Sequence, residues 1–275
     1  MKILLLGGEG FIGRNIADVL NESAGSATSE KYDCYSLGRR SSPFRNTDHH
    51  FLKMDPYREK INESFDIIVH LIDSAAPNQE LNLLKNIDPR THVILFSSAV
   101  IYANPTSAYG IRKSAVEKIY ADHHGKLTIL RLFNVYGLYQ IPHRQGSLVA
   151  NIFHNHIHNI PIKINNMDVK RDFIFAEDIG HYLKFIMDQQ LYGTYDLATG
   201  QMLSIKELCA AIQEVVGSPL NIEDQKKSDI QCPPATATIP CNLNFSPLEL
   251  GLKKTFDFFL TTRYGAPNFL DQTKW

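Results

Sequence analysis

Cysteine, charge of either sign in excess, and long apolar runs are all scarce in this chain of 275 residues. The four cysteines, Cys34, Cys209, Cys232 and Cys241, contain no C-x-x-C pair. They read as reduced thiols of a cytoplasmic protein. The 28 basic and 29 acidic side chains leave a net charge of -1. That balance removes the electrostatic case for a nucleic-acid partner or an anionic membrane surface. No apolar run reaches membrane-spanning length. The chain passes almost directly into a strand, so no signal peptide is expected. Repeats and low-complexity tracts are absent. Histidine is plentiful, but His154, His156 and His158 alternate and would point in different directions on a helix. No acidic or cysteine partner lies at a ligand spacing, so a polar helix face is expected and no metal. A hydrophobic content of 44% with 21% charged residues describes a globular chain with a sizeable core.

The most informative segment is Gly7-Gly8-Glu9-Gly10-Phe11-Ile12-Gly13. It follows the apolar run Ile3–Leu6 and precedes Ile12, Ile16, Val19 and Leu20, which recur at helical spacing. Glycines let a backbone turn sharply and approach a pyrophosphate, and the following helix presents free N–H groups to it. The G-x-x-G-x-x-G spacing alone is weak; its strand, turn and helix context makes it a dinucleotide site. Strands and helices then alternate. Strands are expected at Cys34–Leu37, Ile67–Ile72, Val93–Phe96 and Leu127–Leu132, with helices at Gln79–Ile87 and Ser107–Ala121. This is the pattern of an α/β, doubly wound parallel sheet. A helix near Leu148–Asn159, a strand at Gly193–Ala198 and a helix over Ser204–Val216, capped by Ser204, follow. Ser218–Pro247 reads as a surface excursion and Phe256–Tyr264 as a last helix.

In NAD-binding turns an acidic residue ends the second strand and holds the ribose hydroxyls. Here Asp33 precedes that strand, and Gly38-Arg39-Arg40-Ser41 follows it. A guanidinium there suits the 2′-phosphate, so NADP(H) is expected over NAD(H), which stays possible. Asp55, after Leu52, is a candidate partner for the adenine amino group.

Ser97-Ser98 ends the Val93–Phe96 strand, and Tyr109 and Lys113 lie four apart at the head of a helix, hence on one face. A nearby ammonium favours a phenolate, so Tyr109 is expected to have a lowered pKa and to act as an acid or base. Ser98 can hold a substrate oxygen.

These segments, with His70-Leu71, Leu130–Gly137, Arg171–Ile179 and Gly193–Gly200, resemble the extended short-chain dehydrogenase/reductases, in the NAD(P)-dependent epimerase/dehydratase branch that acts on nucleotide sugars. The resemblance runs from Met1 to about Thr262. It implies a Rossmann-type lobe over residues 1–138, to which 171–200 returns, and a smaller α/β substrate lobe over 139–275. It further implies Gly7, Gly10, Phe11, Ile12, Gly13, Arg39, Arg40, Asp55, Leu71, Tyr109 and Lys113 as cofactor contacts. Ser98, Tyr109 and Lys113 would be catalytic; Ser98, Asn134 and Arg171 would hold the nucleotide-sugar substrate. For Arg171 an ion pair with Asp172 or Glu177 is the other reading. A homodimer is usual in the family.

Three departures bear on the reaction. Ser98 and Tyr109 are eleven residues apart, closer than the family usually places them. The 4,6-dehydratases carry Asp-Glu beside their catalytic threonine, where this chain has Ala99 and Val100, against dehydration. Asn165-Asn166-Met167-Asp168 lacks the glycines usual before the arginine. The expected activity is NADPH-dependent reduction of a nucleotide-linked 4-keto-6-deoxyhexose. A nucleotide-sugar epimerase that recycles its cofactor is the alternative, and a redox-silent cofactor-binding relative a further one.

Overall fold

A computed structural model describes residues 1–22, 32–39, 50–73, 76–144, 146–229, 233–234, 236–262 and 266. They form two compact units. The first comprises Met1–Leu132, Ile179–Leu197 and Ala237–Cys241, and the second Phe133–Asp178, Ala198–Thr236 and Asn242–Trp275. Residues 179–197 therefore return to the first unit, while Arg171 and its strand stay with the second.

The first unit begins β1(Lys2–Leu6), α1(Phe11–Glu22), β2(Asp33–Gly38), β3(His50–Lys53), β4(Ile67–His70), α2(Pro77–Leu84), β5(His92–Ser98), α3(Val100–Ala103), α4(Ala108–His123) and β6(Leu127–Leu132). The chain continues with β7(Asn134–Tyr136), α5(Leu148–Ile157), β8(Ile162–Ile164), β9(Lys170–Phe175), α6(Ala176–Asp188), β10(Gly193–Leu197), β11(Met202–Ser204), α7(Ile205–Val216), β12(Ile222–Asp224) and α8(Leu248–Thr261).

Seven strands of the first unit form one parallel sheet in the order β10-β6-β5-β4-β1-β2-β3. The pairings Leu4↔Tyr35 and Leu4↔Ile68 put β1 between β2 and β4. Ile3, Leu4, Leu5 and Leu6 are wholly buried, as expected for a strand covered on both faces. Burial of each such side chain stabilises by about 1.5–3 kcal/mol. The strand order reverses between β1 and β4. In open α/β sheets the carboxyl ends of the strands at that reversal form the ligand crevice. The glycine turn follows β1, Leu71 follows β4, and Ser98 ends β5, so all three lie along that edge.

At the opposite edge His92 starts β5, buried, with Nε2 2.7 Å from the Thr128 hydroxyl and its ring 4.7 Å from Tyr192. Burial, aided by repulsion from His124 and Lys126, pushes its pKa down to about 4. The folded state thus holds the imidazole neutral where the unfolded chain would protonate it. Stability is expected to fall as pH falls from about 6.5 toward 4. Chemical denaturation of His92→Gln across this range should show a shallower loss. Equal slopes for both proteins would contradict it.

In the second unit β7 pairs with β9 and β11 with β9 (Asn134↔Phe173, Leu203↔Arg171), and β8 pairs with β12. Phe153 of α5 packs on Phe256 and Phe259 of α8 at 5.2 and 6.2 Å. Ser204 caps α7 in a capping box with Glu207.

Three expectations are corrected in this part of the chain. Ser218–Pro247 is not only a surface excursion, because Ile222–Asp224 forms β12 and the Thr238 amide donates to the Asp196 carbonyl at 3.0 Å. The last helix starts at Leu248, since Gly251, Leu252, Thr255 and Phe259 supply its buried stripe well before the aromatic cluster. Finally, His154 is no part of a polar face. It is buried, with rings of His143 and His158 at 5.1 and 4.6 Å. Among the described residues no group of His, Cys, Asp and Glu could hold a metal ion, and no helix is long and apolar enough to cross a membrane.

Candidate active site

The glycine turn is built for close approach. Gly7 has φ +84°, and its amide donates to the Leu37 carbonyl of β2 at 3.0 Å. A Cβ on Gly13 would lie 2.6 Å from Gly8 Cα, so α1 leaves the turn flush against backbone. The Arg14 amide donates to Gly10 O at 3.0 Å and closes the first turn of α1. The amides of Phe11, Ile12 and Gly13 precede it and have no carbonyl four residues back within the helix, which is the anion-binding arrangement. Gly10 is exposed at the open side of this cradle. These features fit a dinucleotide pyrophosphate.

Around the cradle, Arg39 follows β2 and is exposed, while Arg40 lies outside the described residues. The Glu9 carboxylate accepts from the Ser36 hydroxyl at 3.0 Å, a contact between turn and β2 that the sequence did not signal. Asp55 follows β3, and its carboxylate accepts from the Tyr57 amide at 3.0 Å. The Leu71 amide donates to Leu6 O at 2.9 Å, tying the ends of β4 and β1 together.

Ser98, Tyr109 and Lys113 come together in the first unit. Ser98 is the last residue of β5, and its hydroxyl accepts from the Val100 amide at 3.2 Å. The short connection to α4 is closed by Ser107, whose hydroxyl accepts from Gly110 N at 3.0 Å as the helix cap. That cap places Tyr109 in the first helical turn. The connection is also held by Tyr102, which donates to Asp196 at 3.0 Å and receives Arg131, itself paired with Glu117 at 2.7 Å. Lys113 Nζ donates to Phe96 O at 3.4 Å and lies 5.7 Å from the Tyr109 ring centroid.

The expected lowering of the Tyr109 pKa is overturned. Burial raises it first, the Asp73 carboxylate raises it further, and the Ser98 hydrogen bond and Arg112 only partly oppose them. Lys113 does not act as an unbalanced cation here, because Asp73 lies 3.5 Å from its Nζ. Neither Asp73 nor Arg112 was singled out in the sequence. Arg112 could have been, since it lies three residues after Tyr109 on the same helical face. Asp73 reaches α4 from the loop after β4, and no local pattern signals that.

Asn134 and Arg171 belong to the second unit. Asn134 opens β7, and its amide donates to Asp172 O at 3.1 Å. Arg171 on β9 pairs with Asp229 at 2.9 Å, where the sequence offers Asp172 or Glu177. Asp172 is buried and accepts from the Thr199 and Gly200 amides at 2.9 and 2.7 Å, while Glu177 pairs with Lys254 at 2.8 Å.

A glycine-rich turn in a doubly wound sheet, with serine, tyrosine and lysine at its carboxyl edge, is the arrangement expected of a nicotinamide-dependent oxidoreductase. The profile of the family described as GDP-mannose 4,6 dehydratase matches residues 99–248. The chain belongs to the extended short-chain dehydrogenase/reductase group of NAD(P)-dependent epimerases and dehydratases. It is 29% identical over 224 residues to the UDP-2-acetamido-2,6-beta-L-arabino-hexul-4-ose reductase of Pseudomonas aeruginosa, covering 78% of this chain and 57% of that protein. It is 23% identical over 254 residues to the GDP-6-deoxy-D-talose 4-dehydrogenase of Aggregatibacter actinomycetemcomitans, covering 82% and 84% of the two chains. Among solved structures, the dTDP-glucose 4,6-dehydratase of Bacillus anthracis in complex with NAD superposes with TM-score 0.82 at 16% identity, covering 97% of this chain and 99% of that one. The UDP-glucose 4-epimerase of Thermotoga maritima with UDP-glucose gives TM-score 0.77 at 22% identity, covering 94% and 99%. These two structures share the fold.

Proposed function

We propose that the protein reduces the keto group of a nucleotide-linked 4-keto-6-deoxyhexose with NADPH. The convergence of Ser98, Tyr109 and Lys113 at the sheet edge that carries the glycine cradle supports this reading most directly. The similarity to a keto-sugar reductase and a sugar 4-dehydrogenase agrees with it. In this reading Gly7, Gly10, Phe11, Ile12 and Gly13 hold the cofactor pyrophosphate. Leu71 lines the cofactor path, and Asp55 meets the adenine. Arg39 and Arg40 meet the 2′-phosphate, which favours NADP(H) over NAD(H). Asn134 and Arg171 bind the substrate diphosphate, with Asp229 displaced from the guanidinium.

A nicotinamide held by these residues would supply the hydride that the carbonyl carbon takes up. Ser98 donates a hydrogen bond to the carbonyl oxygen, and Tyr109 gives that oxygen its proton, leaving the alcohol. Lys113 holds the nicotinamide ribose and stabilises the phenolate as it forms. Positioning supplies most of the rate, and proton transfer about 10²–10⁴-fold. The site lacks the acidic pair that elimination of water calls for, having Ala99 and Val100 beside Ser98. A homodimer belongs to this reading, and Ile111 on α4, 59% exposed, is available to it.

The test is NADPH oxidation by the purified protein against dTDP-, GDP- and UDP-linked 4-keto sugars, with NADH in parallel. Substrate-dependent oxidation of NADPH is expected, slower with NADH. Absence of oxidation with every keto sugar, together with epimerisation by cofactor that stays bound, would replace the reductase with the epimerase.

A further inference from the structure

Asp73 pairs with two cations beside Tyr109. It lies three residues beyond the end of β4, half exposed, and reaches across to α4. One carboxylate oxygen is 3.0 Å from an Arg112 terminal nitrogen and the other 3.5 Å from Lys113 Nζ. Both cations flank the same ring: the Arg112 guanidinium is 5.2 Å and Lys113 Nζ 5.7 Å from the Tyr109 centroid. Arg112 Nε is buried without a hydrogen-bond partner among the described residues, so the side chain is held at its terminal nitrogen by this carboxylate. Lys113 is 12% exposed and Arg112 27%, while Asp73 is 49% exposed, so solvent screens the pairs in part.

We propose that Asp73 is a positioning residue of the catalytic site, which holds Arg112 and Lys113 against the Tyr109 ring and offsets their charge there. The inference rests on the reductase reading for its consequence, not for its geometry. The charged groups facing Tyr109 among the described residues are Asp73 from the loop after β4 and Arg112 and Lys113 from α4, and Ser98 from β5 adds a hydrogen bond. Of these only Asp73 opposes the phenolate. Its negative charge acts on Tyr109 directly and also offsets two cations that would otherwise stabilise the ionised ring. A tyrosine kept protonated to higher pH serves as an acid over a wider range, which suits reduction of a carbonyl.

The decisive experiment is a pH titration of tyrosinate absorbance, with Tyr109 isolated as the difference between each protein and its Tyr109→Phe derivative. In Asp73→Asn the Tyr109 curve is expected to move to lower pH by about half to one unit, a partly exposed carboxylate giving the low end of the range for a close charge. Asp73→Glu should restore it. An unmoved curve in Asp73→Asn would overturn the proposal, as would an equal shift in Asp73→Glu. The readout needs no turnover, so it decides the role of Asp73 even if no keto sugar is reduced. Where turnover is found, the alkaline limb of the Asp73→Asn rate profile should shift in the same direction. A loss of rate without that shift would mark Asp73 as structural.

Discussion

Tyr109→Phe is expected to lower turnover by about 10²–10⁴-fold while cofactor affinity changes little. The substitution removes one oxygen from a half-buried ring and leaves the packing of α4 unchanged. Its cap, Ser107 to Gly110, is backbone-directed and does not involve the phenol. Lys113 keeps its bond to Phe96 O and its pair with Asp73. What disappears is the proton that neutralises the alkoxide as hydride arrives. Steady-state rates with a keto-sugar substrate, beside cofactor binding by fluorescence quenching, separate the two quantities. Retention of more than about a tenth of the wild-type rate would be too small a loss for a positioned proton donor and would remove Tyr109 from that role.

The second large effect concerns stability. Glu80 and His70 are each 1% exposed, with His70 Nε2 2.9 Å from Glu80 Oε2. Tyr57 donates to Oε1 of the same carboxylate at 2.9 Å and Tyr120 to Oε2 at 3.2 Å. One carboxylate therefore joins the loop after β3, the end of β4, α2 and α4. Glu80→Ala removes the carboxylate that bonds buried His70 and Tyr120 and half-buried Tyr57. A loss of about 3–5 kcal/mol is expected, the usual result of breaking a buried pair from one side. Urea denaturation measures it, and a loss below about 1 kcal/mol would mean the network relaxes onto other partners. Burial by itself pushes the Glu80 carboxyl up, but the bonds from His70, Tyr57 and Tyr120 outweigh it and hold the carboxyl below the usual value. The sign follows: this stabilisation is present above the unfolded carboxylate pKa and is lost as pH falls through the lower folded one. Wild type should thus lose stability more steeply than Glu80→Gln below about pH 4.

Asp55, the proposed adenine contact, lies two residues from Tyr57 in that same network. Removing the Glu80 carboxylate should for this reason also loosen the loop that carries Asp55.

Much of this was readable from the chain alone because it is local. A buried parallel strand needs an unbroken apolar run, and Ile3–Leu6 and Val93–Phe96 are such runs. The turn after β1 needs glycine where φ is positive and where α1 meets backbone, and Gly7 and Gly13 stand there. Tyr109 and Lys113 share a face because the helical repeat puts residues four apart together. The short strands β7, β8, β9, β11 and β12 were not expected. Three- to six-residue segments such as Ile162–Ile164 carry too little periodicity and become strands through their partners.

What only the tertiary structure decided is which charges meet. The sequence pairs Lys113 with Tyr109, yet burial of the ring raises the Tyr109 pKa, and the loop after β4 brings Asp73 between the two cations of α4 to raise it further. It offers Asp172 or Glu177 to Arg171, yet the β9 arginine meets Asp229, 58 residues on. Electrostatic energy depends on distance in space and on the water excluded around the pair, and neither quantity is written in the spacing of residues along a chain.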